Sequence, residues 1–474
     1  MPGVTTSPPA APVAEATLFP SESALPRSAP WISSLLVASG GAIMVIVSLG
    51  PMAAELGNIS LWVWVLTVGV GGVQCALIAE LASRFPERAG GSAQFAYRAV
   101  EGGSQSLGAL SSWGYWFAWT PGIAVNLILA GTYLRDVLWP GGSPVLIAAI
   151  TGVALYALTT AGLTPITIVN AILGTLAVAI ILVVALGPVV KPEIFHAELV
   201  LPPRLPEGAP QGFVGLGGLL CKWMFVAVWS SYTAEIASAL CAEIREPSRY
   251  MGRVMGISAV ACFIAYSALP IALFGIIGVE GLQKDPVALV AAAGEAILGP
   301  VGQDIIGLGL AAVLIIAAET FIIGSSRAIY QMARDGHLPH VFAWVNRRGA
   351  PVGSIAWDAS VIGLLLVVFG TKVVDVVAAA NVGYMMVWIL LPIAYLVLRK
   401  HPGGKAGALR LPRSFVPVAV ALLLFNVVLM VWGGSQWGTS VMAVGLGVSL
   451  SILPISWLSR RFGGHRAMPA KELA

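Results

Sequence analysis

Charged residues are scarce in this chain: they make up 10% of its 474 residues, whereas hydrophobic residues make up 58%. An ordinary soluble domain carries roughly a quarter charged residues, so a string of soluble domains is excluded. The apolar residues form repeated runs of about 20 residues, the length that crosses a hydrocarbon core about 30 Å thick. The composition therefore predicts an all-α, polytopic membrane protein.

Cysteine and histidine are also rare, with four and five residues respectively. The cysteines lie in or beside apolar runs, without the spacing of a disulfide framework or a metal site. The histidines all lie in predicted loops or tails, and the sequence contains no Walker loop or dinucleotide fingerprint. We therefore expect no enzyme, no metal and no cofactor. The net charge of +4 comes from loop residues and does not indicate nucleic-acid binding.

Twelve apolar runs predict twelve transmembrane helices within one transporter domain, residues 31–459. They span residues 31–52, 60–83, 107–134, 144–161, 164–188, 214–240, 253–278, 304–332, 353–370, 374–398, 414–433 and 437–458. Residues 1–30 are rich in proline, alanine and serine and predict a disordered N-terminal tail. Residues 460–474 form a short C-terminal tail.

Positive charge is distributed unevenly between the two sets of loops. With the N-terminus inside, twenty lysines and arginines lie on the cytoplasmic side and five on the other, and Lys222 lies within a span. Cytoplasmic loops carry the excess of lysine and arginine in membrane proteins. The pattern predicts a multi-pass protein of the cell membrane, surrounded by the lipid bilayer, with both termini in the cytoplasm.

The sixth predicted span contains a polar cluster. Its sequence runs Trp229-Ser230-Ser231-Tyr232-Thr233-Ala234-Glu235. A carboxylate and four hydroxyls are costly in hydrocarbon, and such groups are usually retained where they face a substrate, an ion or a water-filled cavity. This cluster is the predicted working centre of a transporter.

Three stretches carry a family resemblance. They are Glu80–Pro86 with Ala89-Gly90-Gly91 and Phe95–Ala99, then Trp229–Glu235 with Glu243–Pro247, and finally Ser326–Pro339. Their order and spacing resemble the second-to-third helix loop, the sixth helix and the end of the eighth helix of the amino acid–polyamine–organocation permease family. The resemblance covers about residues 31–400.

The resemblance implies a LeuT-like five-plus-five inverted repeat. Repeat one would cover about 31–188, repeat two about 214–398, and two peripheral helices about 414–458. Helices 1 and 6 of such folds are broken at the midplane, and their exposed backbone groups bind substrate. The resemblance therefore places the substrate beside Ser39, Gly40, Gly41 and Ala42 in the first span, and beside Trp229, Ser230, Ser231, Tyr232 and Thr233 in the sixth span.

The chain departs from the family pattern at three places. The Gly-small-Gly triplet of relatives corresponds either to Ser39-Gly40-Gly41 or to residues 42–44. Thr233 stands where relatives usually have glycine. The fifth span has no lysine near Ala177, where some relatives carry one for proton coupling. Coupling to H⁺ through that position is therefore not expected, and the coupling ion stays open between H⁺ and Na⁺.

Four polar residues are the candidates for coupling or gating: Glu235, Glu319, Ser326 and Lys222. Glu319 lies near the middle of span eight and shares a helix face with Ser326. Glu319 either pairs with a cation, including an ammonium group on the substrate, or is protonated in a structural hydrogen bond. Lys222 can extend its ammonium toward the outer interface. Glu235 either contacts the substrate or stabilises the helix break.

The sequence thus predicts a secondary active transporter, a symporter or an exchanger, that moves an amino acid, polyamine or other organic cation by alternating access. A transport-fold nutrient sensor or a partner-dependent subunit is the alternative. An ion channel ranks third, since no filter motif is visible. Sequence leaves the substrate and the oligomeric state open.

Overall fold

Helices make up nearly all of the structure, a computed structural model that describes residues 25–38, 46–100, 105–284, 289–368, 373–400 and 409–462. The first nine helices are α1 (Ile32–Ala38), α2 (Ile46–Leu56), α3 (Ser60–Arg84), α4 (Ser92–Val100), α5 (Gln105–Leu138), α6 (Pro144–Thr160), α7 (Leu163–Val190), α8 (Ala197–Val200) and α9 (Gly212–Ser231). The others are α10 (Pro247–Lys284), α11 (Leu289–Leu298), α12 (Pro300–Arg334), α13 (Val352–Val368), α14 (Val373–Lys400), α15 (Phe415–Val428), α16 (Thr439–Leu450) and α17 (Ile452–Phe462). Within these ranges the only β-type pairing is an isolated bridge between Ala29 and Ile244.

Nine helical stretches of the described chain are long and apolar enough to cross a membrane. The first, Ser48–Arg84, combines α2 and α3, and two further apolar helices, Pro144–Thr160 and Val352–Val367, are shorter. The all-helical, polytopic prediction is therefore confirmed. The number of twelve spans stays a prediction.

Two helices form the centre of the bundle. In the most apolar 18-residue stretch of each helix, 78% of the stretch is buried in both α5 and α12, whereas 28% is buried in α7. In the two membrane-spanning stretches nearest the C-terminus, Phe415–Gly433 and Thr439–Arg461, 22% is buried. Helix α5 packs along α12 and also contacts α6, α13 and α14, while α3 packs along α10. The helices near the C-terminus therefore lie at the periphery of the bundle.

The basic end of the bundle, defined by Arg84, Arg88, Arg327 and Arg399, is closed by several loops. The loop after α3 lies against the sixth span, because Gly90 N donates to Ala239 O at 3.1 Å. A substituent on Gly90 (φ +91°) would collide with the backbone of α12. The requirement for a close backbone approach explains why glycine occupies this position.

The last six residues of the predicted tail, 25–30, make defined contacts at this basic end. Ala29 N donates to Glu243 O at 3.1 Å, and Arg245 N donates to Ala29 O at 2.9 Å. The Arg27 guanidinium donates to Pro86 O at 3.1 Å. Residues 25–30 thus satisfy backbone groups of two neighbouring loops.

The opposite end carries the connector between α7 and α9. One side chain, Asn58, fixes this connector by donating to the carbonyl oxygens of Leu199, Val200 and Pro202 and accepting from Arg204 N. We call this side the connector end.

Candidate functional site

The sixth predicted span is broken in the core of the bundle. Helix α9 ends at Ser231, Tyr232 follows with φ −88° and ψ 4°, and a tighter 3₁₀ segment runs over Thr233–Leu240. Every residue of that segment is buried. Serine and threonine bond to nearby backbone groups and tyrosine loses rotamer freedom in a helix, so this sequence favours the change of helix type.

One side of the broken span faces α5 and α12 through aromatic residues. The Trp229 indole donates to Ala118 O at 2.8 Å, and its ring centroid lies 6.2 Å from that of Trp119 and 5.9 Å from that of Phe321. Farther along, Ile236 and Trp119 both lie against Gly324 of α12. This side therefore presents an apolar, aromatic wall to the two central helices.

The other side of the break faces α3, α10 and α14. The Tyr232 ring lies 4.7 Å from Trp388, and Thr233 Oγ1 lies 3.5 Å from Tyr266 Oη. Tyr266 Oη donates to Ser230 O at 2.9 Å. The sequence analysis placed all of these side chains at the substrate. In the structure Trp229 faces α5 and α12, whereas Tyr232 and Thr233 lie toward α14 and α10.

Two hydroxyls at the break, those of Ser230 and Ser231, are buried and have no hydrogen-bond partner among the described residues. A buried hydroxyl without a partner costs about 1–3 kcal/mol. Such groups indicate a place where a ligand or an ordered water completes the hydrogen bonding.

Glu235 lies within the 3₁₀ segment and is completely buried. Its Oε2 accepts from Ser92 N at 3.4 Å and its Oε1 from Tyr384 Oη at 3.4 Å. These contacts join the break to the start of α4 and to α14. They are long for charge-assisted hydrogen bonds, which usually measure 2.5–2.9 Å. Glu235 therefore sits between elements without being held tightly by either.

Glu319 lies on α12 beside the end of α1. Its Oε1 accepts from Thr159 Oγ1 of α6 at 3.1 Å, and its Oε2 has no hydrogen-bond partner within the described parts of the chain. The next residue, Thr320, donates to Val37 O at 2.5 Å. The turn of α12 that carries Glu319 thus packs against the end of α1.

Ser326 and Arg327 lie about two turns farther along α12 than Glu319. The Ser326 hydroxyl donates back to Ile322 O of its own helix at 2.5 Å. Arg327 donates from Nε to Glu243 Oε1 at 2.9 Å, and both side chains of this ion pair are 1–2% exposed. Glu243 lies just after the broken segment, so the pair ties that segment to α12.

Lys222 lies on α9 near the connector end. Its ammonium lies 2.7 Å from both carboxylate oxygens of Glu55 on α2, and Trp223 Nε1 donates to the same carboxylate at 2.9 Å. It also lies 5.0 Å from the ring centroid of Trp437. The pair joins the halves of the first and sixth spans that lie at the connector end.

The sequence comparisons agree with this architecture. A family model described as amino acid permease matches residues 30–450. The chain belongs to the amino acid permease family. The family prediction of the sequence analysis is thus confirmed, and a multi-pass membrane location follows from family and helices together.

Three relatives of this permease are between 22% and 29% identical to it. An uncharacterized amino acid permease of Bacillus subtilis is 24% identical over 310 residues, which cover 61% of this chain and 66% of the relative. An uncharacterized transporter of Mycobacterium tuberculosis is 29% identical over 64% of this chain and 67% of its own length. The branched-chain amino acid permease BcaP of Lactococcus lactis is 22% identical over 52% of this chain and 51% of its own length. The matches thus span about half to two thirds of the relatives.

Sequence reasoning missed Asp358, a fully buried carboxylate of the permease on α13. Its Oδ1 accepts from Trp116 Nε1 at 3.0 Å, and its Oδ2 accepts from Tyr156 Oη at 3.0 Å and Ser325 Oγ at 2.7 Å. The signal was present, because Asp358 is an isolated acid inside an apolar run, as Glu319 is. Glu55, the partner of Lys222, was missed because it lies at the margin of a span.

The structure brings some of the permease's predicted site residues together and separates others. Trp229, Ser230, Ser231 and Glu235 lie at the break, whereas Lys222 lies about two turns before Trp229 on α9. Ser39, Gly40, Gly41 and Ala42 lie outside the described residues. The substrate contacts of the first span therefore stay predictions.

Proposed function

We propose that this permease is a secondary active transporter that moves an amino acid or a related amine across the cell membrane by alternating access. The observation that carries the proposal is the broken sixth span. A buried change of helix type, next to two hydroxyls without partners, is the kind of discontinuity that binds substrate near the bilayer midplane in transporters.

The arrangement of helices supports a five-plus-five repeat. In such a repeat, spans two and three of the first half correspond to spans seven and eight of the second. Those are α3, α5, α10 and α12 here, and the structure packs α3 along α10 and α5 along α12. The proposal retains twelve spans, with α15 to α17 forming the peripheral pair and both termini in the cytoplasm. The basic end is then the cytoplasmic end.

Substrate would bind between the broken spans and the aromatic wall of Trp119, Trp229 and Phe321. Its carboxylate would lie at the predicted break of the first span, residues 39–42, and its ammonium near the hydroxyls of Ser230 and Ser231. Aromatic faces attract an ammonium group within about 6 Å. An amino group is therefore the common feature of the proposed substrates, including amino acids, polyamines and other organic cations.

Gating in this proposal relies on two ion pairs at opposite ends of the same two spans. Arg327–Glu243 closes the basic end, and Lys222–Glu55 holds the halves at the connector end. Opening of the basic end requires the broken segment to move away from α12 and so to break the first pair. Coupling would involve Glu235 or Glu319, whose oxygens are weakly or incompletely bonded by the protein.

The alternative function is a nutrient sensor or a subunit that needs a partner for transport. Uptake of labelled amino acids into proteoliposomes separates these possibilities. We expect uptake that saturates with substrate concentration and accelerates when unlabelled substrate is present inside. Binding without uptake would support the sensor, and flux that neither saturates nor shows trans-stimulation would support a channel.

A further inference from the structure

Asp358 joins four helices through its two oxygens. The carboxylate belongs to α13, and its three donors come from α5 (Trp116), α6 (Tyr156) and α12 (Ser325). All three donors are neutral, and no lysine or arginine is hydrogen-bonded to Asp358 in the described residues. An ionised carboxylate inside a membrane protein without a cation is costly, so such residues usually have a function.

The hydrogen bonds around Asp358 can accommodate a proton. Ser325 Oγ lies 2.7 Å from Asp358 Oδ2 and 3.3 Å from Ile322 O. When Asp358 is ionised, the Ser325 hydroxyl donates to it. When Asp358 carries a proton, its O–H donates to Ser325 Oγ, and the Ser325 hydroxyl turns to Ile322 O. Both forms therefore satisfy the buried donors and acceptors.

Helix α6 places a second carboxyl close to the first. Tyr156 binds Asp358, and Thr159, one turn farther on the same face, binds Glu319 Oε1 at 3.1 Å. Tyr156 also lies within electrostatic range of Glu319. The two carboxyls thus contact one face of α6, and Glu319 has one oxygen that no described residue binds.

The charged and titratable groups around this pair come from few elements. Helix α6 contributes Tyr156, helix α12 contributes Glu319 and Arg327, and the 3₁₀ segment before α13 carries His340 at the basic end. Helix α5 contributes only the indole of Trp116 to Asp358. Arg327 is held by Glu243, so it does not neutralise Asp358.

We propose that Asp358 binds and releases a proton during transport, as the second protonatable carboxyl beside Glu319. The step adds H⁺ from the aqueous phase to the carboxylate and returns it to the aqueous phase on the other side. Its effect reaches the transport site through α12, because Ser325 lies one turn from Phe321 of the aromatic wall. The inference rests on the proposed transport function.

The test compares uptake driven by a pH gradient with counterflow in the same proteoliposome preparation. Asp358→Asn keeps the size of the side chain and two hydrogen-bonding positions, but it cannot bind the proton. We expect the ratio of gradient-driven uptake to counterflow to fall at least tenfold. Asp304→Asn removes an exposed carboxylate from α12, and we expect it to leave the ratio unchanged.

A ratio equal to wild type in Asp358→Asn overturns the proposal and leaves Asp358 as a structural tie between helices. If the wild type shows counterflow but a pH gradient has no effect on its uptake, the proposal for Asp358 is overturned as well. The proposed transport function is unaffected by that result. Absence of counterflow in the wild type refutes the transport function itself. If Asp358→Asn does not fold, the second variant is Ser325→Ala, which removes the hydroxyl that can turn between Asp358 and Ile322. We expect Ser325→Ala to lower the ratio of gradient-driven uptake to counterflow. An unchanged ratio contradicts the proposal.

Discussion

The buried ion pair between Arg327 and Glu243 allows a quantitative prediction. Both side chains are 1–2% exposed, with Nε and Oε1 2.9 Å apart. Arg327→Met leaves the Glu243 carboxylate buried and unpaired, and breaking a buried pair in this way costs about 3–5 kcal/mol.

This magnitude predicts losses of similar size for the two single variants. Arg327→Met should lose about 3–5 kcal/mol of unfolding free energy, because the Glu243 carboxylate is then buried without its partner. Glu243→Met should lose a similar amount, because the guanidinium of Arg327 is then buried without its partner. The double variant should be more stable than either single variant, since an apolar replacement of the whole pair removes the desolvation penalty.

The assay is unfolding of the purified protein in mixed micelles, titrated with a denaturing detergent at pH 7. The double-mutant cycle gives the interaction energy between the two side chains directly. Losses in the single variants that add up in the double variant within about 0.5 kcal/mol would refute the reasoning. So would a double variant that is less stable than either single variant.

Three further predictions concern the ends of the bundle and the break. Burial lowers the pKa of His337 to about 4 in the folded protein, so folding favours the neutral ring. The contribution of His337 to stability is therefore full above about pH 6.5 and falls as the pH drops toward 4, by about 2 kcal/mol at pH 5. Melting curves of wild type and His337→Gln between these pH values check this, and an equal pH dependence of the two proteins contradicts it. Asn58→Ala removes four hydrogen bonds to the connector. Amide hydrogen exchange over residues 199–204 should then accelerate at least about fivefold, since one net hydrogen bond contributes about 1 kcal/mol. Unchanged exchange would show that another contact holds the connector. Gly91→Ala places a methyl group against Tyr115 Oη in a backbone with φ +77°, which costs about 1–2 kcal/mol of strain, and it should abolish transport. The control Gly447→Ala has open space around the added methyl group and should leave transport unchanged. Normal uptake by Gly91→Ala would disprove the tight fit.

The sequence was sufficient for the helical architecture because bilayer thickness sets the length of each apolar run. The break in the sixth span was also predictable, because four hydroxyls and a carboxylate in one span cost free energy wherever they face lipid. The family followed from three motifs in register, and the match over residues 30–450 confirms it.

The sequence could not show which side of a broken segment each residue faces. Tyr232 contacts Trp388 of α14 and Thr233 lies beside Tyr266 of α10. The backbone leaves the α-helical conformation at Tyr232, so the regular helical spacing of the sequence does not give these directions. Partners from distant parts of the chain were also hidden. The contacts of Asp358 with Trp116 and Tyr156 span 242 and 202 residues, and no local pattern encodes them.

The most direct test of alternating access around the broken span is the accessibility of Ile236, which is buried between the break and α12. The variant Ile236→Cys is prepared after replacement of the native cysteines Cys75, Cys221, Cys241 and Cys262. A membrane-impermeant thiol reagent is applied to sealed vesicles from one side at a time. We predict labelling from only one side in each condition, slower labelling with bound substrate, and a shift toward the basic end when Arg327→Met is added. Simultaneous labelling from both sides, or the same labelling with and without Arg327→Met, would contradict the account.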